Sequence, residues 1–98
     1  MKTKLLLDRR ITVSENAFVE MVLWHVPEPV KGSVHGYKYR LAYIVNGACV
    51  LRYDNEAGKG DHRHYGDAES AILFHDPGQL VADFMNDVKR WDDENRCA

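Results

Sequence analysis

Apolar residues recur along this chain first at a strand-like period of two and then, near its end, at a helical one. Leu5-Leu6-Leu7 and Ile11-Thr12-Val13 read as one short strand or two pieces of one, with Arg9-Arg10 exposed or at a bulge. Ser14-Glu15-Asn16-Ala17 carries the small polar side chains of a turn. From Phe18 to Val26 the chain is apolar on both faces, with Phe18, Val22, Trp24 and Val26 on one and Val19, Met21 and Leu23 on the other. That pattern suits a central strand covered on both sides. Pro27-Glu28-Pro29 ends it, because neither proline donates to a ladder. Val30 to Gly36 follows as a loop.

The clearest local signal is Asn46-Gly47 between two strand-like runs, the mark of a two-residue type I′ hairpin. A regular ladder from that turn sets Val45 opposite Ala48, Ile44 opposite Cys49, Tyr43 opposite Val50 and Arg40 opposite Tyr53. Opposed residues share a face. Arg40, Lys38 and Tyr53 are therefore expected on one face at the hairpin's open end, where the chain enters a glycine-rich loop.

Ser70 to Phe74 reads as a short edge strand. Asp76-Pro77-Gly78-Gln79 then opens a helix, with Asp76 as N-cap, Pro77 in the first turn and Gln79 at the capping-box position. Leu80, Val81, Phe84, Met85, Val88 and Trp91 form one apolar stripe, with Asp83, Asp87, Lys89 and Arg90 largely off it. Asp92 to Ala98 is expected to fray. The fold class is α+β: a single domain, 1–98, with an antiparallel meander of about four to five strands and one C-terminal helix packed on one face.

Composition narrows the setting. Ninety-eight residues, 45% of them hydrophobic, make one ordinary globular domain. No apolar run approaches the roughly 18 residues of a membrane span, and the leucines after Lys4 are too few for a signal-peptide core. A cytoplasmic protein is expected. The two cysteines do not make a disulfide scaffold; Cys49 reads as a small buried thiol and Cys97 as incidental. The net charge of −2 argues against indiscriminate nucleic-acid binding but hides an asymmetry. Residues 31–64 carry six basic and three acidic side chains, whereas residues 65–98 carry three basic and eight acidic. The middle third suits a polyanion.

That third contains Tyr53-Asp54-Asn55-Glu56-Ala57-Gly58-Lys59-Gly60-Asp61-His62-Arg63-His64. Gly58 and Gly60 open backbone conformations closed to other residues and allow close approach of a ligand. On an extended segment His62 and His64 project to one side and Asp61 and Arg63 to the other. Two imidazoles on one side serve RNA cleavage: one takes the proton from a ribose 2′-hydroxyl and the other protonates the leaving 5′-oxygen. Lys59, Arg63 or Arg40 would stabilise charge on the phosphate, with Lys38, Gly58 and Gly60 lining the substrate and Tyr53 stacking on a base or assisting proton transfer. Because the nucleophile lies within the substrate, this chemistry requires no metal or other cofactor. Asp61, His62 and His64 are acceptable metal ligands, but His25, His35 and His75 complete no familiar spacing. The tyrosine row Tyr37, Tyr39 and Tyr43 reads as a packing face, and Trp24 and Trp91 as core or core edge.

The run Tyr37 to Tyr43, then Arg52-Tyr53-Asp54-Asn55-Glu56, then Gly58-Lys59-Gly60-Asp61-His62-Arg63-His64, resembles the signature of the TumE family, small toxins of type II toxin–antitoxin systems. Leu80 to Phe84 matches a Leu-x-x-Asp-Phe segment of that family. The resemblance implies growth inhibition through an RNA-cleaving or RNA-directed activity, neutralised by a DNA-binding antitoxin encoded beside it. Which residues are catalytic is read from the chemistry alone. The expectation is a metal-independent endoribonuclease with RNA and a cognate antitoxin as partners, no membrane, and an unpaired edge strand as a route to a homodimer or to an antitoxin strand. The rival readings are a non-catalytic RNA- or ribosome-binding module, and an interaction domain that uses the acidic C-terminal third.

Overall fold

The computed structural model describes residues 2–56 and 58–95. Of the tail expected to fray from Asp92 to Ala98, Asp92 to Asn95 are instead the last turn of the helix, held by bonds from Tyr43 to Asp92 and from Tyr65 to Glu94. The rest, with Cys97, lies outside the described residues. The described chain is an antiparallel meander followed by a helix: β1 (Lys4–Ser14), β2 (Ala17–His25), β3 (Tyr37–Val45), β4 (Ala48–Asp54), β5 (His62–Tyr65), β6 (Ala68–Ala71) and α1 (Pro77–Asn95). The strands lie side by side in chain order. The α+β class is as expected, but the sheet has six strands, not four or five. The additional strand is His62-Arg63-His64-Tyr65, whose polar composition conceals its extended form. The last strand, expected over Ser70 to Phe74, runs instead from Ala68 to Ala71, and Ile72 to Phe74 lie outside it.

One face of the sheet is buried. Val19, Met21, Leu23, Tyr39, Leu41, Tyr43, Leu51 and Tyr53 form its core with Leu80, Phe84 and Val88 of α1. The helix begins as its sequence demands, with the Gln79 amide donating to Asp76 Oδ1 at 2.8 Å. The Gln79 side chain does not return to the cap; it donates to Asp83 Oδ1 at 2.8 Å. Among the described residues no helix is long and apolar enough to cross a membrane.

The other face has no helix on it, so β2 is covered on one side only. Trp24, expected in the core or at its edge, alternates with buried Leu23 and lies on this outer face. Cys49, expected to be buried, is exposed.

The type I′ turn forms, with Asn46 at φ 51° and Gly47 at φ 79°. The ladder above it is not regular. Ile44 pairs with Cys49, but Tyr43 pairs with Leu51, leaving Val50 as a bulge residue. From there Arg40 opposes Asp54 and Leu41 opposes Tyr53. The slip moves Leu51 and Tyr53 under the helix, where they are 1% and 3% exposed, and turns Arg52 and Asp54 outward. A regular ladder would bury the Arg52 guanidinium and expose Leu51. The bulge carbonyl is not orphaned: Gly66 N–H donates to Val50 O at 2.8 Å.

Candidate functional site

The bulge decides which groups meet. Tyr53 and Arg40 are on opposite faces, contrary to the regular register, while Arg40, Asp54 and His62 form one cross-strand row and Arg52 and His64 the next. All five belong to the helix-free face. Because β5 alternates, Arg63 falls on the other side with Tyr53.

On the helix-free face, His62 and His64 have ring centroids 5.0 Å apart at 75°. Arg52 joins them. Its Nη2 donates to His64 Nε2 at 3.0 Å, and its Nε lies 2.7 Å from Asp54 Oδ2. The Nε–H is off the line to that oxygen, so this second contact is an ion pair without a directed hydrogen bond. A guanidinium only donates, so His64 Nε2 must be a bare lone pair and its proton sits on Nδ1, which lies 3.9 Å from Glu69 Oε2. His62 has the opposite requirement. Its Nδ1 faces the Gly60 carbonyl at 3.0 Å and its Nε2 lies 3.2 Å from Asp54 Oδ1. Both neighbours are acceptors: the Nδ1–H donates to Gly60 O, and Nε2 faces Asp54 without a directed hydrogen bond. Asp54 Oδ1 is buried and has no directed hydrogen bond, and the carboxylate's counter-charge is the Arg52 guanidinium at Oδ2. His64 is partly open, with 29% of its side chain exposed, and His62 is enclosed at 6%.

The cations differ in availability. Arg40 is half-buried and has no hydrogen-bond or ion-pair partner among the described residues. Lys38 lies 3.7 Å from Glu56, and exposed Lys59 lies 3.8 Å from Glu69. Arg63 is committed to the helix side, where its Nη1 donates to Asp87 Oδ2 at 3.0 Å and Tyr53 Oη donates to the same oxygen at 2.5 Å. Burial and that bond to Asp87 push the Tyr53 phenol far above its ordinary range. Tyr53 and Arg63 line a cavity of about 370 Å³ under α1, separate from the histidines' face.

The glycine-rich loop packs against the chain itself. Gly60 is buried at φ +84°, and a Cβ there would lie 2.7 Å from the Gly32 carbonyl oxygen. A Cβ on Gly32 would in turn meet the Gly60 nitrogen at 2.5 Å. A polar cluster fixes this contact. Asp61 Oδ1 accepts from Tyr39 Oη at 2.6 Å and from His35 Nε2 at 2.8 Å, and Ser33 Oγ donates to Oδ2 at 3.3 Å. The Tyr37 amide donates to His35 Nδ1 at 3.2 Å, which leaves the His35 proton on Nε2 for Asp61. His35 also stacks on Phe74 with centroids 3.8 Å apart. Sequence reasoning left His35, Ser33 and Asn55 without a role; Asn55 accepts from the Tyr39 amide at 3.0 Å and donates to Tyr37 O at 2.8 Å.

A cation could reach His62, His64 and Glu69, whose ligand atoms lie within 4.8 Å of one another. Asp61, grouped with the histidines from sequence, points away into the His35 cluster. The Arg52 guanidinium beside His64 opposes a dication there.

A family model described as Toxin TumE matches residues 2–92. No curated protein and no solved structure matches the chain.

Proposed function

Since this chain belongs to the TumE toxin family, we propose that it acts as the toxin of a toxin–antitoxin pair by cleaving RNA at the Arg52–His64–Asp54–His62 cluster. One observation carries this reading: two imidazoles 5.0 Å apart meet different neighbours, His64 Nε2 the Arg52 donor and His62 the acceptor Gly60 O and the Asp54 carboxylate. Acid–base catalysis of internal phosphoryl transfer needs one ring that accepts and one that donates. His64, the more open ring, is the base. A phosphodiester arriving at Arg52 competes for its guanidinium and releases the His64 Nε2 lone pair to the ribose 2′-hydroxyl. The 2′-oxygen attacks phosphorus, the bond to the leaving 5′-oxygen breaks, and His62 supplies the proton that oxygen takes up. The products are a 2′,3′-cyclic phosphate and a 5′-hydroxyl. Arg40, half-buried and without a partner among the described residues, and Arg52 stabilise the charge on the non-bridging oxygens, while Lys38 and Lys59 bind at the rim. The reaction proceeds without a metal ion because the attacking oxygen belongs to the substrate. Family membership implies a cognate antitoxin, and its DNA-binding character remains part of this proposal.

The test is incubation of purified protein with RNA, with and without EDTA, followed by end-group analysis. The expected result is a cyclic phosphate end in both conditions. His64→Ala is expected to lower the rate by roughly 10²–10⁴-fold with its circular dichroism unchanged. Cleavage at the wild-type rate in folded His64→Ala, or 5′-phosphate ends, overturns it. RNA binding without cleavage by the wild type favours a sequestering module.

A further inference from the structure

We propose that Trp24 is a base-stacking platform for single-stranded RNA, seated a few nucleotides from the histidine pair on the same helix-free face. The inference rests on the RNA reading above and extends it to how the substrate lies. Tyr53, the stacking candidate from sequence, is unavailable at 3% exposed on the helix side, and the tyrosine row is a packing face as expected, with Tyr39 and Tyr43 at 0% and 1%. On the outer face the aromatic residues are different. Phe18 is covered by the Arg10 guanidinium at 3.9 Å from its centroid. Trp24 is only half-buried, stands opposite Lys38 in the β2–β3 ladder, and does not join the core. It lines a slot of about 270 Å³ with Thr3, Val26 and Lys38.

The register supplies a path. Lys38 adjoins Trp24, Arg40 is two residues along the same strand and face, and Asp54 and then His62 continue the Arg40 row. Strands ~4.8 Å apart with a rise of ~3.3 Å per residue place Trp24 and His62 on the order of 16 Å apart, a span of a few nucleotides. An indole, two cations and the reacting pair along one open sheet face match single-stranded RNA, whose bases stack on aromatic rings while its phosphates follow cations. A duplex hides its base faces and does not suit this arrangement.

The experiment uses the Trp91→Phe protein, in which Trp24 is the sole indole, and titrates it with a 2′-O-methyl single-stranded oligonucleotide of about 12 nucleotides, which cannot be cleaved. Quenching of Trp24 fluorescence is expected with the single strand and not with a duplex of the same sequence. In the otherwise native chain, Trp24→Leu should weaken binding by about tenfold or more, and Trp24→Phe should retain most of it. Binding without quenching, or equal affinity for the Leu and Phe variants, overturns the inference. Quenching in a protein that never cleaves RNA leaves the stacking site standing and defeats the catalytic reading. Cleavage that ignores Trp24 does the reverse, and absence of any binding defeats both.

Discussion

Single residues in the Gly58–His64 segment are doing different work from what their proximity in sequence suggests. Gly60 is there because the backbone of Gly32 leaves no space for a side chain, so Gly60→Ala combines an unfavourable φ with a steric clash. Gly47→Ala shares the unfavourable φ but meets nothing within 4 Å. Chemical denaturation should therefore find Gly47→Ala weaker than the native chain by about 1 kcal/mol, and Gly60→Ala by more, about 2–3 kcal/mol. Equal losses would mean that the loop-to-loop contact contributes nothing. Asp87 makes a second contrast. It was placed off the apolar stripe of the helix, yet it is 8% exposed and binds both Tyr53 and Arg63. Asp87→Ala leaves a buried phenol and a guanidinium whose Nε already lacks a partner, and it should lower stability by about 2 kcal/mol. Tyr53→Phe removes one hydrogen bond of that set, about 1 kcal/mol. Neither variant should alter the proposed RNA cleavage once folded, because both positions lie on the face opposite the histidines.

At the scale of elements the bulge at Val50 is the feature that assembles the candidate site. Deleting Val50 should preserve the pairing of Leu41 with Tyr53, since Cys49 and Leu51 then follow each other in a regular ladder with Ile44 and Tyr43. The protein should fold, and the Gly66 amide, having lost the Val50 carbonyl, should exchange its hydrogen faster. An exchange rate unchanged at Gly66 would show that the bulge bond is not what holds β5 to β4. The turn, the long strands and the helix were legible because each has a local cause: Asn46-Gly47, the alternation through Val19, Met21 and Leu23, the Asp76 cap and the Leu80–Trp91 stripe. The bulge was not, because its cause is non-local. It depends on Leu51, rather than Arg52, meeting a helix nearly thirty residues away. The same slip separated Arg40 from Tyr53 and brought Arg52 to His64. The side-by-side projection of His62 and His64 was readable from extended geometry alone. The proton-ordering partners, Gly60 O and Arg52, were not, since neither could be placed without the register.

For the molecule as a whole, the helix is fastened to the sheet by phenol–carboxylate bonds in addition to its apolar stripe. Tyr43 donates to Asp92 at 2.6 Å, Tyr53 to Asp87 at 2.5 Å, and Tyr65 to Glu94. Tyr39 makes a fourth such bond to Asp61 within the loop cluster. In each case burial first, and the carboxylate next, raise the phenol above its ordinary value of 10.0; Tyr65 is pushed up to about 12 and the other three further. A group that holds its proton more tightly when folded contributes fully below its unfolded value and loses that contribution as pH rises. Stability should therefore be flat up to about pH 10 and fall progressively above it, over the range in which free tyrosines ionise and these do not. Thermal midpoints measured from pH 8 to 12 should show that decline, and a Tyr43→Phe, Tyr53→Phe double variant should decline less steeply while starting lower. Glu94 acts at the other end of the scale. The Tyr65 hydroxyl holds its carboxyl below the ordinary value, so its small, exposed contribution is present at neutral pH and lost as pH falls through the acid range. If the double variant loses stability with the same alkaline slope as the native chain, the phenols are not what ties α1 to the sheet, and the apolar stripe alone holds it.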